Sequence, residues 1–207
     1  MTAALVVLGG YLLGSMPFGY WLVLLLKGED IRKVGSGNIG ATNVWRTYGK
    51  AYGIPIVMLD VAKGFVPALV GTLLVGELVG VLAGGAAMLG HWRPLFLRFQ
   101  KGGKTVATAG GTFFGIAPLL GVIGLVLWLA LFLATRYASV ASMGTAVALP
   151  FIGIALGEPW PVIAFAAIAG TAVIVLHRAN IARLRAELAG GAPSGRHTSL
   201  ADWLRLV

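Results

Sequence analysis

Read for polarity alone, the chain is a succession of long apolar runs separated by short polar connections. The runs cover about residues 3–26, 53–75, 77–90, 105–117, 118–135, 138–157 and 159–177. About twenty apolar residues in a helix cross the hydrocarbon of a bilayer, and lipid leaves no partner for an unpaired backbone N–H or C=O. Each run is therefore predicted to be a helix. The third and fourth are short for a span, and glycines at 76, 80, 84 and 85 allow close helix approach around the third. Residues 105–135 read either as one long tilted helix or as two short ones broken near Pro118.

Charge decides between these. Two helices make seven spans, and the connections near 27–52, 91–104 and 136 then share one side with the segment from 178. That side holds every one of the sixteen Lys and Arg residues except Lys63, which falls inside the second run. The opposite connections carry Glu77 and Glu158 and no basic residue. Basic loops stay in the cytoplasm. The expected fold class is an all-α integral membrane protein with seven transmembrane helices, N-terminus outside and C-terminus cytoplasmic. The first run lacks the basic leader of a cleaved signal peptide and reads as a retained span. Residues 1–185 form a single polytopic domain in this reading, and 186–207 a cytoplasmic polar tail.

Composition agrees: 58% of residues are hydrophobic and 11% charged, whereas about a quarter of a soluble domain is charged. A net charge of +9 would suggest nucleic acid in a soluble protein. Here no free soluble face exists to carry such a patch, so no nucleic-acid partner is expected. Orientation and attraction to anionic membrane lipids account for the charge. The absence of cysteine excludes disulfides, thiolate nucleophiles and Cys-ligated metal. The seven acidic residues are scattered, so no carboxylate cluster for a divalent metal is expected, and no cofactor is called for.

The connections carry the chemistry. Within residues 30–46, glycines at 35, 37 and 40 let backbone N–H groups turn toward an anion. Ser36, Asn38, Thr42 and Asn43 add neutral donors, and Arg46 offers a bidentate fork to phosphate. The second motif is Lys101-Gly-Gly-Lys104, followed by Thr105 and Thr108. It resembles a phosphate loop at a helix N-terminus but lacks the Walker A spacing and preceding strand. Alternatively, Lys104 simply snorkels to the interface. Arg136, Ser139 and Ser142 recur every three residues along one helical face, either contacting phosphate or packing small against a neighbouring helix. His177-Arg178-Ala-Asn180 closes the last run, where a histidine serves as base, orients a hydroxyl, or is structural. His91 reads as interfacial, and His197 is given no role. Asp60 and Lys63, one turn apart in an apolar run, read as an internal ion pair. In the tail, Trp203 and Leu204 are candidates to touch the membrane surface.

Taken together, three strings resemble the bacterial acyl-phosphate:glycerol-3-phosphate acyltransferases, the PlsY family. They are Ser-Gly-Asn-Ile-Gly-Ala-Thr-Asn-Val-x-Arg at 36–46, Lys-Gly-Gly-Lys-x-Val-Ala-Thr at 101–108 and His-Arg-x-Asn-Ile-x-Arg-Leu at 177–184. The strings at 14–19, 59–64 and 136–142 fit as well, so the resemblance covers about residues 10–185. It implies a seven-helix enzyme of the bacterial cytoplasmic (inner) membrane with its active site facing the cytoplasm. The implied reaction moves an acyl chain from acyl phosphate, not acyl-CoA or acyl carrier protein, to the sn-1 hydroxyl of glycerol 3-phosphate. The products are lysophosphatidic acid and phosphate, an early step of phospholipid biosynthesis, with neighbouring phospholipid-synthesis enzymes as candidate partners.

By matching position, the resemblance assigns catalytic roles to Ser36, Arg46, Lys104, His177 and Asn180, and phosphate binding to Gly102 and Gly103. Gly37, Asn38, Gly40, Thr42, Asn43, Thr108, Ser139 and Ser142 complete the expected substrate contacts. The chain departs from the family pattern at Thr105, where many relatives have glycine, and near Glu187, which fits the family's glutamate only with a shifted spacing.

Two rival classes fit less well. A transporter for a phosphorylated solute needs a polar path across the bilayer, but Asp60 and Lys63 are the only charges deep within the runs. An alcohol phosphotransferase wants a carboxylate cluster holding metal.

Overall fold

The first apolar run does not fold as one rod. Pro17 has no N–H to continue a helical ladder and restricts the residue before it, so α1 (Thr2–Gly14) and α2 (Phe18–Lys27) are separated by a break at Ser15–Pro17. The break exposes the Met16 carbonyl, which accepts from Lys63 Nζ at 3.2 Å. This computed structural model describes residues 1–190, and those residues contain helices and no strand. The Glu187 side chain and the tail with His197, Trp203 and Leu204 lie outside the described residues.

The remaining elements follow the apolar runs closely. A short amphipathic helix, α3 (Ala41–Tyr48), precedes α4 (Lys50–Leu74) and α5 (Glu77–Trp92). Residues 105–135 form two helices: α6 (Val106–Ile116) ends at Ala117, and Pro118 opens α7 (Pro118–Thr135). Proline at the first helical position has no donor to lose. Then come α8 (Ala138–Ala155), α9 (Trp160–Leu176) and α10 (Arg178–Leu188). All seven predicted runs are thus helical.

By length and composition, Thr2–Lys27, Lys50–Leu74, Pro118–Thr135 and Ala138–Leu156 can each cross a membrane. Trp160–Leu176 joined to α10 across a 53° bend makes a fifth. At 16 and 11 residues, α5 and α6 are shorter.

Small residues hold the helices together. In lipid there is no hydrophobic force between helices, so close backbone approach and dispersion must supply the attraction. The most extensive packing joins α4 to α6. There a side chain on Gly64 would overlap the Thr108 carbonyl, and one on Gly111 the Val61 carbonyl. Gly10 and Gly14 of α1 meet Ala83 and Ala87 of α5 in the same way. One apolar core runs between α4, α5, α6, α7, α8 and α9 around Phe113, Leu120, Leu149 and Phe165. A second, smaller one packs Val23, Ile31, Ile39, Val44 and Ile56 together and fixes the first polar connection and α3 onto the bundle.

Candidate active site

The first connection is shaped from within by Asn43. Its Oδ1 accepts from the Ser36 N–H at 2.8 Å, while Nδ2 donates to the carbonyls of Val34 and Asn38 at 3.0 and 2.9 Å. Gly35 and Gly37, on either side of Ser36, adopt left-handed φ values of 60° and 69°. Such values are cheap only for glycine. The loop therefore turns tightly and carries Ser36 outward. Asn38 Oδ1 accepts from the Gly40 N–H at 2.7 Å just before α3 begins. Arg32, clamped on Asp30 at 2.7 Å, donates to Gln100 Oε1 at 2.8 Å and ties this loop to the second one.

The second motif is folded against the end of α5. The Gly102 N–H donates to the Trp92 carbonyl and the Gly103 N–H to the His91 carbonyl, both at 2.9 Å. A side chain on Gly102 would collide with the His91 backbone and Pro94, and one on Gly103 with the His91 imidazole. These glycines are required by packing, and their N–H groups are already bonded. Lys104 follows them and reaches across to donate through Nζ to Asn180 Oδ1. Thr105 then caps α6 with φ of 64°, a left-handed conformation that explains why a glycine suits this position.

The third motif is bent. At His177 the helix turns by 53° from α9 into α10. His177 is buried, and its Nδ1 lies 2.7 Å from the Val173 carbonyl. A carbonyl only accepts, so Nδ1 carries the proton and Nε2 keeps its lone pair in the neutral ring. The Lys104 pKa is lowered to about 8, by burial and by the nearby charges of Arg183, Lys101 and Arg46.

These segments surround one cavity of about 350 Å³. Ser36, Asn38, Gly40, Thr42, Asn43, Arg46, Lys104, Ser139, Ser142, His177 and Asn180 all line it. Gly37, Gly102, Gly103 and Thr108 do not; they stand behind the lining as structural elements, Thr108 being fully buried against α4. Ser142 reaches the cavity, but its hydroxyl donates to the Ala138 carbonyl at 2.6 Å and accepts from Trp128 Nε1 at 3.0 Å, so it braces the wall. Arg136, at the α7–α8 turn, is not part of the lining.

Three further lining residues carry charge or titrate: Arg183, Asp60 and His91. Arg183 lies three residues beyond Asn180, and helical spacing puts the two on one face. That spacing was readable in the motif at 177–184. The expected Asp60–Lys63 ion pair forms at 2.7 Å. Below the polar groups the wall is apolar, with Val61, Phe113, Leu120, Gly124, Leu149 and Val173 among its residues. The cavity is therefore cationic at one end and greasy at the other.

Among the described residues, long apolar helices enclose a cavity that is cationic at one end and apolar at the other, the arrangement of a membrane-embedded protein. The family model described as glycerol-3-phosphate acyltransferase matches residues 4–187. The chain is 43% identical over 186 residues to the glycerol-3-phosphate acyltransferase of Aquifex aeolicus (strain VF5), covering 89% of this chain and 96% of that one. It is 40% identical over 185 residues to that of Desulforamulus reducens, covering 89% and 92%. Two crystal structures of PlsY, an integral membrane glycerol 3-phosphate acyltransferase, superpose on it. The glycerol 3-phosphate form gives a TM-score of 0.86 at 41% identity, covering 95% of this chain and 96% of the other. The lysophosphatidic acid form gives 0.87 at 38%, covering 99% and 100%. The chain belongs to the glycerol-3-phosphate acyltransferase family, as its PlsY-like motifs anticipated.

Proposed function

We propose that this protein transfers an acyl chain from acyl phosphate to the sn-1 hydroxyl of glycerol 3-phosphate, releasing lysophosphatidic acid and phosphate. The observation that carries the reading is the gathering of Arg46, Lys104 and Arg183 at the polar end of a cavity whose wall is otherwise mostly apolar. Two phosphorylated headgroups repel each other, and bringing a hydroxyl onto a carbonyl requires that repulsion to be offset. Three cations and the polar groups of Ser36, Thr42 and Asn180 supply the means. The apolar wall takes the acyl chain, between helices and next to lipid.

Acyl phosphate is a mixed anhydride, so phosphate already leaves well. The glycerol oxygen attacks the acyl carbon directly, a C–O bond forms, and the bond from that carbon to the phosphate oxygen breaks. The hydroxyl proton passes to an acceptor beside the reacting atoms, His177 Nε2 or a substrate phosphate oxygen. Arg46 and Lys104 stabilise the charge that shifts onto the departing phosphate. In this reading Ser36 binds and orients and forms no acyl-enzyme.

The same proposal sets the protein in a bacterial cytoplasmic membrane with seven spans, α5 and α6 being short ones. The N-terminus then lies outside, and the site and residues 186–207 lie on the cytoplasmic face. The distribution of basic residues supports that orientation.

The test is purified protein in nanodiscs with palmitoyl phosphate and glycerol 3-phosphate, assayed for phosphate and lysophosphatidic acid beside palmitoyl-CoA and Ser36→Ala and Arg46→Ala variants. Product from acyl phosphate alone, lost in the variants, is expected. Product from palmitoyl-CoA alone, or a trapped acyl group on Ser36, would overturn the donor or the direct-attack step respectively.

A further inference from the structure

Three buried titratable side chains have no part in the reaction just described. Asp60, Lys63 and His91 are 3%, 1% and 4% exposed. Lys63 Nζ sits 2.7 Å from Asp60 Oδ1, donates to the Met16 carbonyl at the α1–α2 break at 3.2 Å, and lies 5.7 Å from the centre of the Phe18 ring. His91 Nδ1 is 3.7 Å from the same Asp60 oxygen. The His91 carbonyl accepts from the Gly103 N–H, and its imidazole fills the space a Gly103 side chain would occupy. The Asp60–Lys63 pair thus ties α4 to the helix break. The His91 ring packs beside the Asp60 carboxylate, its Nδ1 without a hydrogen-bond partner among the described residues, and backs the residue immediately before Lys104.

Stability does not account for such a cluster. Desolvation offsets most of the attraction in a buried ion pair, and apolar replacements of similar volume are often as stable. Within a membrane span the charges are costlier still. What the cluster supplies is geometry. Lys104 carries its ammonium on a flexible four-carbon arm, so the position of its backbone decides whether the arm meets Asn180 and the substrate.

We infer that Asp60, Lys63 and His91 form a positioning cluster that fixes the Gly102–Gly103 backbone and thereby aims Lys104 into the site. The inference rests on the acyl-transfer reading above. Asp60 and His91 reach the cavity wall, but Asp60 Oδ1 faces Lys63 Nζ and His91 Nδ1, so the three act through the loop they hold.

A double-mutant cycle tests it. His91→Leu and Lys104→Ala are made singly and together in the full chain in nanodiscs, with kcat, KM and thermal unfolding measured for each. A displacement of about 1 Å at a reacting group can cost on the order of a hundredfold. His91→Leu should therefore lower kcat/KM by about tenfold or more. In the Lys104→Ala background the same change should cost nothing further, because the residue it positions is gone. His91→Asn, which keeps an amide nitrogen near the place of Nδ1, should recover much of the loss. Asp60→Asn combined with Lys63→Met removes both charges without leaving one unpaired, and should fold and show the same coupling. Additive losses, or wild-type kcat and KM in His91→Leu, would overturn the proposal. The donor is decided separately, by wild-type protein with palmitoyl phosphate and palmitoyl-CoA. If only the thioester reacts, the donor reading fails while the cycle, run with that donor, still decides the role of the cluster.

Discussion

Lys104 Nζ donates to Asn180 Oδ1. This single bond joins the glycine-rich loop before α6 to the first turn of α10. It fixes the Asn180 amide and holds an ammonium, depressed in pKa to about 8, at the headgroup end of the cavity. Lys104 is thus mostly charged near neutrality and loses that charge within the accessible pH range.

The pH dependence follows with a definite sign. Free enzyme holds Lys104 protonated below about pH 8 and neutral above it. Affinity for a phosphorylated substrate should fall as pH rises through 8, seen as an alkaline limb in kcat/KM. Lys104→Arg, which stays charged, should remove that limb while lowering kcat/KM overall, because a guanidinium does not replace a compact ammonium on Asn180. A pH–rate profile from 6 to 9.5 on both proteins is the check.

His177 is placed to take the proton: its Nδ1–H is held by the Val173 carbonyl, which leaves Nε2 of the neutral ring free to accept. If the ring is the proton acceptor, His177→Gln should lower kcat on the order of 10²–10⁴-fold with a smaller change in KM. A loss confined to KM would assign the proton to a substrate phosphate oxygen instead.

Asn43 is expected to behave as scaffold. Asn43→Ala removes three hydrogen bonds from a buried side chain and takes their partner from the Ser36 N–H and the Asn38 carbonyl, while the Val34 carbonyl keeps the Gly37 N–H. Destabilisation of about 2–4 kcal/mol, with a raised KM, should appear in thermal unfolding and kinetics. Thr42→Ala, on an exposed side chain of the same helix, should raise KM with little change in unfolding temperature.

Gly124 bears on chain length. It lines the apolar part of the cavity, and a side chain there would meet Leu149 Cδ2 at 3.2 Å. Gly124→Leu should fill the cleft from α7 and shift preference from palmitoyl toward shorter acyl phosphates. Each methylene excluded is worth about 1–3 kcal/mol, so kcat/KM ratios for palmitoyl over decanoyl phosphate should fall by about tenfold or more.

Thr105 is a local misfit. Its φ of 64° is left-handed, and its buried hydroxyl has no hydrogen-bond partner among the described residues. Left-handed backbone costs a non-glycine residue roughly 1–2 kcal/mol. Thr105→Gly should therefore hold or raise the unfolding temperature, which differential scanning in detergent would show.

Most of the helical layout was legible from polarity alone. Apolar runs of helical length admit few alternatives in lipid, and prolines at 17 and 118 lie at the two breaks. The Pro17 break is nevertheless invisible to hydropathy, because an apolar proline does not interrupt an apolar run although it interrupts a hydrogen-bond ladder. The polar motifs were legible as candidates, but glycine looks the same in sequence whether it frees an N–H for a ligand or makes room for a neighbour. Gly102 and Gly103 proved to be the second kind, pressed on His91 and Pro94. Asn43, read as a donor to substrate, spends both ends of its amide on its own loop.

Residue order alone determined the apolar helical runs and the resemblance to the family, because hydropathy and short-range spacing are local properties. The fold settled which polar groups remain free for a ligand and which are spent on the protein. Arg183 joins Arg46 and Lys104 because the chain bends at His177, and Asp60 and His91 meet because α4 packs on α5. A hydrogen-bond partner many residues away leaves no periodic trace in the sequence, so those assignments had to come from three dimensions.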